Sequence, residues 1–122
     1  MQKLTKVEEE IMYHIWALER CTVSDIIKEL GSPKPPHSTI SSIVRILEKK
    51  KFVAHKAYGR THEYFPIIAK KEYSKSSLQN LVKNYFDGSV NKMVSFLVEE
   101  KDLNLKELGA LIEQLEKEEG DD

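Results

Sequence analysis

The sequence predicts a mainly α-helical fold with one small β-hairpin, and three observations carry that expectation. Three segments in the first fifty residues repeat apolar side chains at helical spacing. Residues 52–67 are instead rich in β-branched and aromatic side chains around a glycine, and the remainder of the chain returns to helical spacing. Three helices followed by a basic-tipped hairpin is the order of a winged helix-turn-helix, here followed by a C-terminal helical dimerisation segment. The expected division is a winged-helix domain over 1–70 and a helical dimerisation domain over 71–122.

The first helix is expected to open at Thr5, because Thr5-Lys6-Val7-Glu8 fits a capping box in which both side chains satisfy orphan N–H groups. It runs to about Arg20 with Val7, Ile11, Ile15 and Leu18 as its buried stripe, widened by Met12 and Trp16. A second box, Thr22-Val23-Ser24-Asp25, opens a short helix with Ile26, Ile27 and Leu30 inward and Gly31 as its stop. Three prolines between Gly31 and Pro36 make the next stretch a rigid connector. The third helix, about Ser38 to Lys50, buries Ile40, Ile43, Val44 and Leu47. Its opposite face is centred on Arg45 and includes Ser38, Ser41, Ser42, Glu48 and Lys49. Phe52 to Ala57 and Thr61 to Ile67 form the hairpin strands about Tyr58-Gly59-Arg60, with Pro66 at the edge or end of the second.

Beyond the hairpin, helical spacing recurs over Lys71–Phe86, Val90–Glu99 and Asn104–Glu118. The apolar positions are Leu78, Leu81, Val82 and Tyr85, then Val90, Met93, Val94 and Leu97, then Leu105, Leu108, Leu111, Ile112 and Leu115. Three short amphipathic helices have too little mutual surface for an independent core. Their apolar faces are therefore expected to meet a second copy of the chain as a homodimer.

The net charge of −1 hides an uneven distribution. Residues 1–75 hold 14 Lys/Arg against 9 Asp/Glu, residues 76–122 hold 5 against 11, and 34–71 alone hold 9 against 2. A basic first half faces a polyanion, and double-stranded DNA is the expected partner. On the third helix the candidate contacts are Ser38, Thr39, Ser41, Ser42, Arg45 and Lys49, short hydroxyls for close approach beside cations that reach guanine or phosphate. On the hairpin they are His55, Lys56, Tyr58, Arg60 and His62. The alternative is a winged helix that docks an acidic protein partner through the same basic surface.

An enzyme is not expected, since the chain holds no H-x-x-x-H, C-x-x-C, G-x-x-x-x-G-K or G-x-S-x-G spacing. No cofactor and no metal site are expected. The single Cys21 reads as a small, semi-buried residue after the first helix. No apolar run approaches the roughly 20 residues that span a bilayer, and the N-terminus lacks a secretory h-region. The expectation is a cytoplasmic protein without direct membrane association.

These residues also resemble the penicillinase-repressor family, the BlaI/MecI-like transcriptional repressors. Leu4-Thr5, Glu8, Glu10-Ile11-Met12 and Ile15-Trp16 are similar to that family's first helix, Ser38 to Lys50 to its recognition helix, and Phe52 to Tyr64 to its wing. Leu97-Val98-Glu99-Glu100, Asp102-Leu103 and Glu107 to Leu115 resemble its dimerisation segment. The resemblance implies a homodimer on a palindromic operator, released on a signal from a membrane sensor-protease. Some relatives are cleaved at an Asn-Phe pair in the dimerisation region. Phe96-Leu97 occupies that position here and lacks the Asn. The Cys-x-Cys tail of the copper-responsive branch is missing, and Lys51 replaces the Gly usual before the wing, a change confined to a local turn.

Overall fold

The computed structural model describes residues 1–100 together with 106, 109, 110 and 113. The chain separates into two compact units, Met1–Ser76 and Ser77–Asp122. The elements are α1 (Lys6–Leu18), α2 (Val23–Leu30), α3 (His37–Lys49), β1 (Val53–Tyr58), β2 (Thr61–Pro66), α4 (Lys70–Tyr85) and α5 (Val90–Glu99). The fold is mainly helical with one antiparallel hairpin, in the order of a winged helix-turn-helix. No described helix is long and apolar enough to cross a membrane.

Both expected capping boxes form. The Thr5 hydroxyl accepts from the Glu8 N–H while the Glu8 carboxylate accepts from the Thr5 N–H, and Thr22 and Asp25 do the same at α2. The buried stripe of α1 differs from the expected one. Glu8, Ile11, Met12 and Ile15 face inward, whereas Val7 is 54% exposed. The cause is Glu8, which turns its carboxylate onto the Lys50 ammonium and so occupies the inward place that hydrophobicity alone gives to Val7. Lys50 also donates to the Lys3 carbonyl at 3.2 Å, tying the end of α3 to the segment before α1. Burial pushes the Glu8 carboxyl up, but Lys50 and the Thr5 donors more than offset it and hold it below the usual range.

The core of the first unit gathers Leu4, Ile11, Met12, Ile15, Cys21, Val23, Ile26, Ile40, Val44, Leu47, Phe52, Val53, Tyr64 and Tyr73. Ile43, Ile27 and Leu30, expected inward, pack at its margin half-buried, as do Trp16 and Leu18. Tyr73 is buried against Trp16 and Phe52, each ring centroid 5.6 Å away, and its hydroxyl donates to Glu9 at 2.7 Å. The first turn of α4 therefore belongs to the first unit. Trp16 Nε1 donates to the Ile68 carbonyl at 2.8 Å, fastening the chain just before α4.

The ends of α3, α4 and both strands differ from expectation by a residue, and α1 stops at Leu18, short of Arg20. The third helix starts at His37, the fourth spans Lys70–Tyr85, and Tyr58 pairs with Thr61 inside the hairpin, so the turn is Gly59-Arg60 alone. Gly59 has φ 63°, the conformation that two-residue hairpin turns require at their first central position. Ile67 lies beyond the strand and is 52% exposed, because β2 ends at Pro66. Cys21 pairs through its backbone with Tyr64, N–H to carbonyl at 2.9 and 2.7 Å, adding a bridge to the hairpin's edge. Its side chain is fully buried rather than semi-buried. That burial, with Asp25 and Glu63 nearby, pushes the thiol up to about 11.

In the second unit α4 ends at a turn through Asp87 and Gly88, and Ser89 caps α5 by accepting from the Lys92 N–H at 3.2 Å. Of the expected final helix, Lys106, Gly109, Ala110 and Glu113 are helical and exposed. Leu105, Leu108, Leu111, Ile112 and Leu115 lie outside the described residues, as do Asp102, Leu103 and Glu107.

Candidate nucleic-acid interface

The site is built on α3, whose apolar positions recur at helical spacing and anchor it through Ile40, Val44 and Leu47. That anchoring turns Ser38, Ser42, Arg45 and Lys49 to solvent on one exposed strip, with Ser41 half-buried beside them and Thr39 exposed near the start. The Ser42 hydroxyl donates to the Ser38 carbonyl at 2.9 Å, which directs its lone pairs outward. Pro36 begins the helix without a side-chain cap, so no protein side chain competes there for an anion.

The C-terminal end of α3 stops in a Schellman arrangement. The Phe52 N–H reaches the Leu47 carbonyl and the Lys51 N–H reaches the Glu48 carbonyl, both at 3.0 Å. Lys51 takes φ 67°, a left-handed position that favours glycine. The chain passes from there directly into β1, and Ile67 donates back to the Phe52 carbonyl at 2.9 Å. The hairpin is thus held beside α3.

The five hairpin candidates are all exposed, but they do not share one face. His55 lies opposite Tyr64, and Ala57 opposite His62, so these four side chains share the face of the hairpin that carries the buried Tyr64. His55 and His62 stack in parallel with ring centroids 4.2 Å apart, and His55 Nδ1 bonds Glu48 of α3. Lys56 and Tyr58 occupy the other face, with the Lys56 ammonium 5.5 Å from the Tyr58 ring centroid. Arg60 stands at the tip. On the Lys56 face Glu63 pairs with Arg20 at 3.5 Å.

Burial pushes the Tyr64 hydroxyl up, Glu48 adds to that shift and Arg45 opposes it. Arg45, Glu48, His55, His62 and Tyr64 therefore form one electrostatic cluster between α3 and the wing. Glu48 and its bond to His55 were not among the expected contacts. The seven-residue separation across a helix stop gives no periodic signal that would have revealed them. Among the described residues no group of His, Cys, Asp and Glu is arranged to hold a metal ion.

The candidate dimer residues of the second unit divide by exposure. Leu78, Leu81, Tyr85 and Val90 are exposed, Met93, Val94 and Leu97 are half-buried, and Val82 is buried. Phe96 is 48% exposed with its ring 5.7 Å from that of Phe86. The remaining four, Leu108, Leu111, Ile112 and Leu115, lie outside the described residues.

Residues 4–117 match the penicillinase repressor family. The chain is 29% identical over 119 residues to the penicillinase repressor of Bacillus licheniformis, covering 93% of this chain and 90% of that protein. It is 25% identical over 110 residues to the methicillin resistance regulatory protein MecI of Staphylococcus aureus (strain N315), covering 89% of each. The solution structure of the DNA binding domain of the repressor BlaI is similar with a TM-score of 0.51 and 30% sequence identity, covering 60% of this chain and 94% of that domain. With the match running through both units, the chain belongs to the penicillinase repressor family of transcriptional repressors.

Proposed function

We propose that the chain represses transcription as a homodimer on a palindromic DNA operator, with α3 reading base edges in the major groove and the wing contacting the flanking backbone. The observation that carries this reading is the exposed strip of Ser38, Ser42, Arg45 and Lys49, set beside a hairpin tipped by Arg60. Short hydroxyls permit the helix to approach the groove floor, and the arginine supplies the bidentate donor that reads guanine. The DNA binding named for the BlaI domain supports the same use of the matching first unit.

Dimerisation is assigned to the second unit. Leu78, Leu81, Tyr85 and Val90 expose apolar surface there, and α5 has no buried residue of its own. A second copy of the chain covers such a surface by two-fold symmetry, and linking two readers raises their effective concentration on a two-part site. Control by a membrane sensor-protease is carried over from the family resemblance. Phe96-Leu97 lies inside α5, without the Asn of cleaved relatives, so a protease would have to unwind this helix first.

Selection of bound sequences from a random DNA pool tests the reading directly. The expected product is a palindrome whose half-sites are about one helical turn apart. Recovery of no preferred sequence, together with capture of an acidic protein by the same surface, would replace DNA recognition with protein docking. Leu81→Glu in the full chain should convert a dimer to a monomer in sedimentation, because a carboxylate buried at the interface would lack a partner. A wild-type monomer at tens of micromolar, on the order of the concentration that saturates a stable interface, would remove the dimer.

A further inference from the structure

The face of α3 offered to DNA carries one anomaly. Glu48 lies on its flank, and a carboxylate beside phosphates is repelled. The hairpin meets this residue with His55, whose Nδ1 bonds the carboxylate, and both side chains are about one-third exposed, 31% and 32%. His62 stacks on the His55 ring with centroids 4.2 Å apart, and the Tyr64 ring centroid lies 5.5 Å from that of His55. The contact joins the last turn of α3 to the first half of β1. It spans the two elements whose relative angle decides whether helix and wing fit one groove together.

We propose that Glu48 and His55 form a latch that sets the wing against the recognition helix, making both positioning residues for operator binding rather than contacts to DNA. The inference rests on the DNA-binding reading. Its chemistry is a charge-assisted hydrogen bond that becomes an ion pair when the imidazole takes a proton. The groups that contact the His55 imidazole are Glu48 from α3, with His62 and Tyr64 from β2.

The sign of one substitution separates positioning from simple electrostatics. If Glu48 acted only through its charge, Glu48→Gln would remove repulsion and tighten binding to every duplex. As half of a latch, Glu48→Gln weakens operator binding roughly 10-fold, the worth of one hydrogen bond to a charged group, and leaves random duplex unchanged or slightly tighter.

The experiment measures binding of the full-length protein to the selected operator and to a random duplex. It uses the wild type, Glu48→Gln, His55→Gln and the double variant, each first checked for an unaltered unfolding transition. The expected result is equal loss of operator binding in both single variants and no further loss in the double, with random-duplex binding unchanged or slightly tighter. Operator binding by Glu48→Gln as tight as wild type or tighter, or additive losses in the double variant, would overturn the latch. A wild type that does not distinguish operator from random duplex would instead overturn the DNA-reading proposal itself.

Discussion

Glu8→Gln isolates the charge of the Glu8–Lys50 pair, because glutamine keeps the capping-box acceptor while losing the carboxylate. Glu8 is 7% exposed, and one of its oxygens accepts from both the Thr5 N–H and the Lys50 ammonium. Replacing a charge-assisted bond by a neutral one costs about 1 kcal/mol. For a unit of this size that corresponds to roughly 4–8 °C in Tm. Glu8→Ala also removes the carboxylate half of the capping box, leaving the Thr5 N–H without its acceptor while the Thr5 hydroxyl still accepts from the backbone N–H of residue 8. That loss costs about 1 kcal/mol more.

The pH dependence has a definite sign. The Glu8 carboxyl is held below its ordinary 4.5 in the folded chain, so the unfolded chain binds more protons between the two values. Its contribution is complete above about 4.5 and is lost as pH falls through the folded value. Glu9, also held low by Tyr73 and Tyr13, is common to both proteins and cancels in the difference. Urea unfolding followed by Trp16, the sole tryptophan and a residue of the first unit, is the assay. Wild type should exceed Glu8→Gln at pH 7, with the gap narrowing as pH falls below about 4.5. Equal stability at pH 7, or a gap that does not change with pH, would refute the role given to the pair.

Three further outcomes follow from the site. Arg45→Ala should weaken operator binding by about 1–3 kcal/mol while sparing random duplex, if this arginine reads a base edge; equal losses on both would make it a phosphate contact. Arg60→Ala should weaken all duplexes alike and reduce the slope of log K against log salt by roughly one phosphate contact, whereas an unchanged slope would take the wing tip out of the interface. Lys51→Gly should stabilise the first unit by about 0.5–1 kcal/mol, since left-handed backbone costs a side-chain-bearing residue roughly 1–2 kcal/mol and glycine's extra freedom in the unfolded chain takes back part of that; loss of stability in the same urea experiment would contradict the strain assigned to φ 67°.

Local chemistry was legible in the sequence. Both capping boxes, the bounds of α5 and the glycine-led hairpin appear where residue type alone predicts them. Pairings between distant residues were not. Periodicity assigns inward positions by hydrophobicity and so chose Val7, while Glu8 is buried because a lysine 42 residues later neutralises it. The Cys21–Tyr64 bridge is a single backbone pair without a strand-length pattern. Tyr73 reads as the start of an amphipathic tail until Trp16 and Phe52 are seen to enclose it. For the candidate site, the outward strip of α3 follows from its apolar stripe, whereas the division of the wing into two faces depends on a register that a one-residue shift of the turn reverses.

The two units place different demands on assembly. The first unit buries its own core and fixes α3 and the hairpin at one point, the end of α3, where the Schellman stop, the Glu8–Lys50 pair and the Glu48–His55 bond all converge on the stretch from Leu47 to Phe52. Its surface is therefore formed before any partner arrives. The second unit keeps Leu78, Leu81, Tyr85 and Val90 exposed and buries no residue of α5. Under the proposed dimer, a signal that separates the protomers need not unfold the reader to end repression. It has only to remove the linkage, which returns each half-site to independent binding and forfeits the effective concentration that linkage supplied, a factor on the order of 10²–10⁴. Control through the second unit can in this way be complete while the first remains folded and rigid.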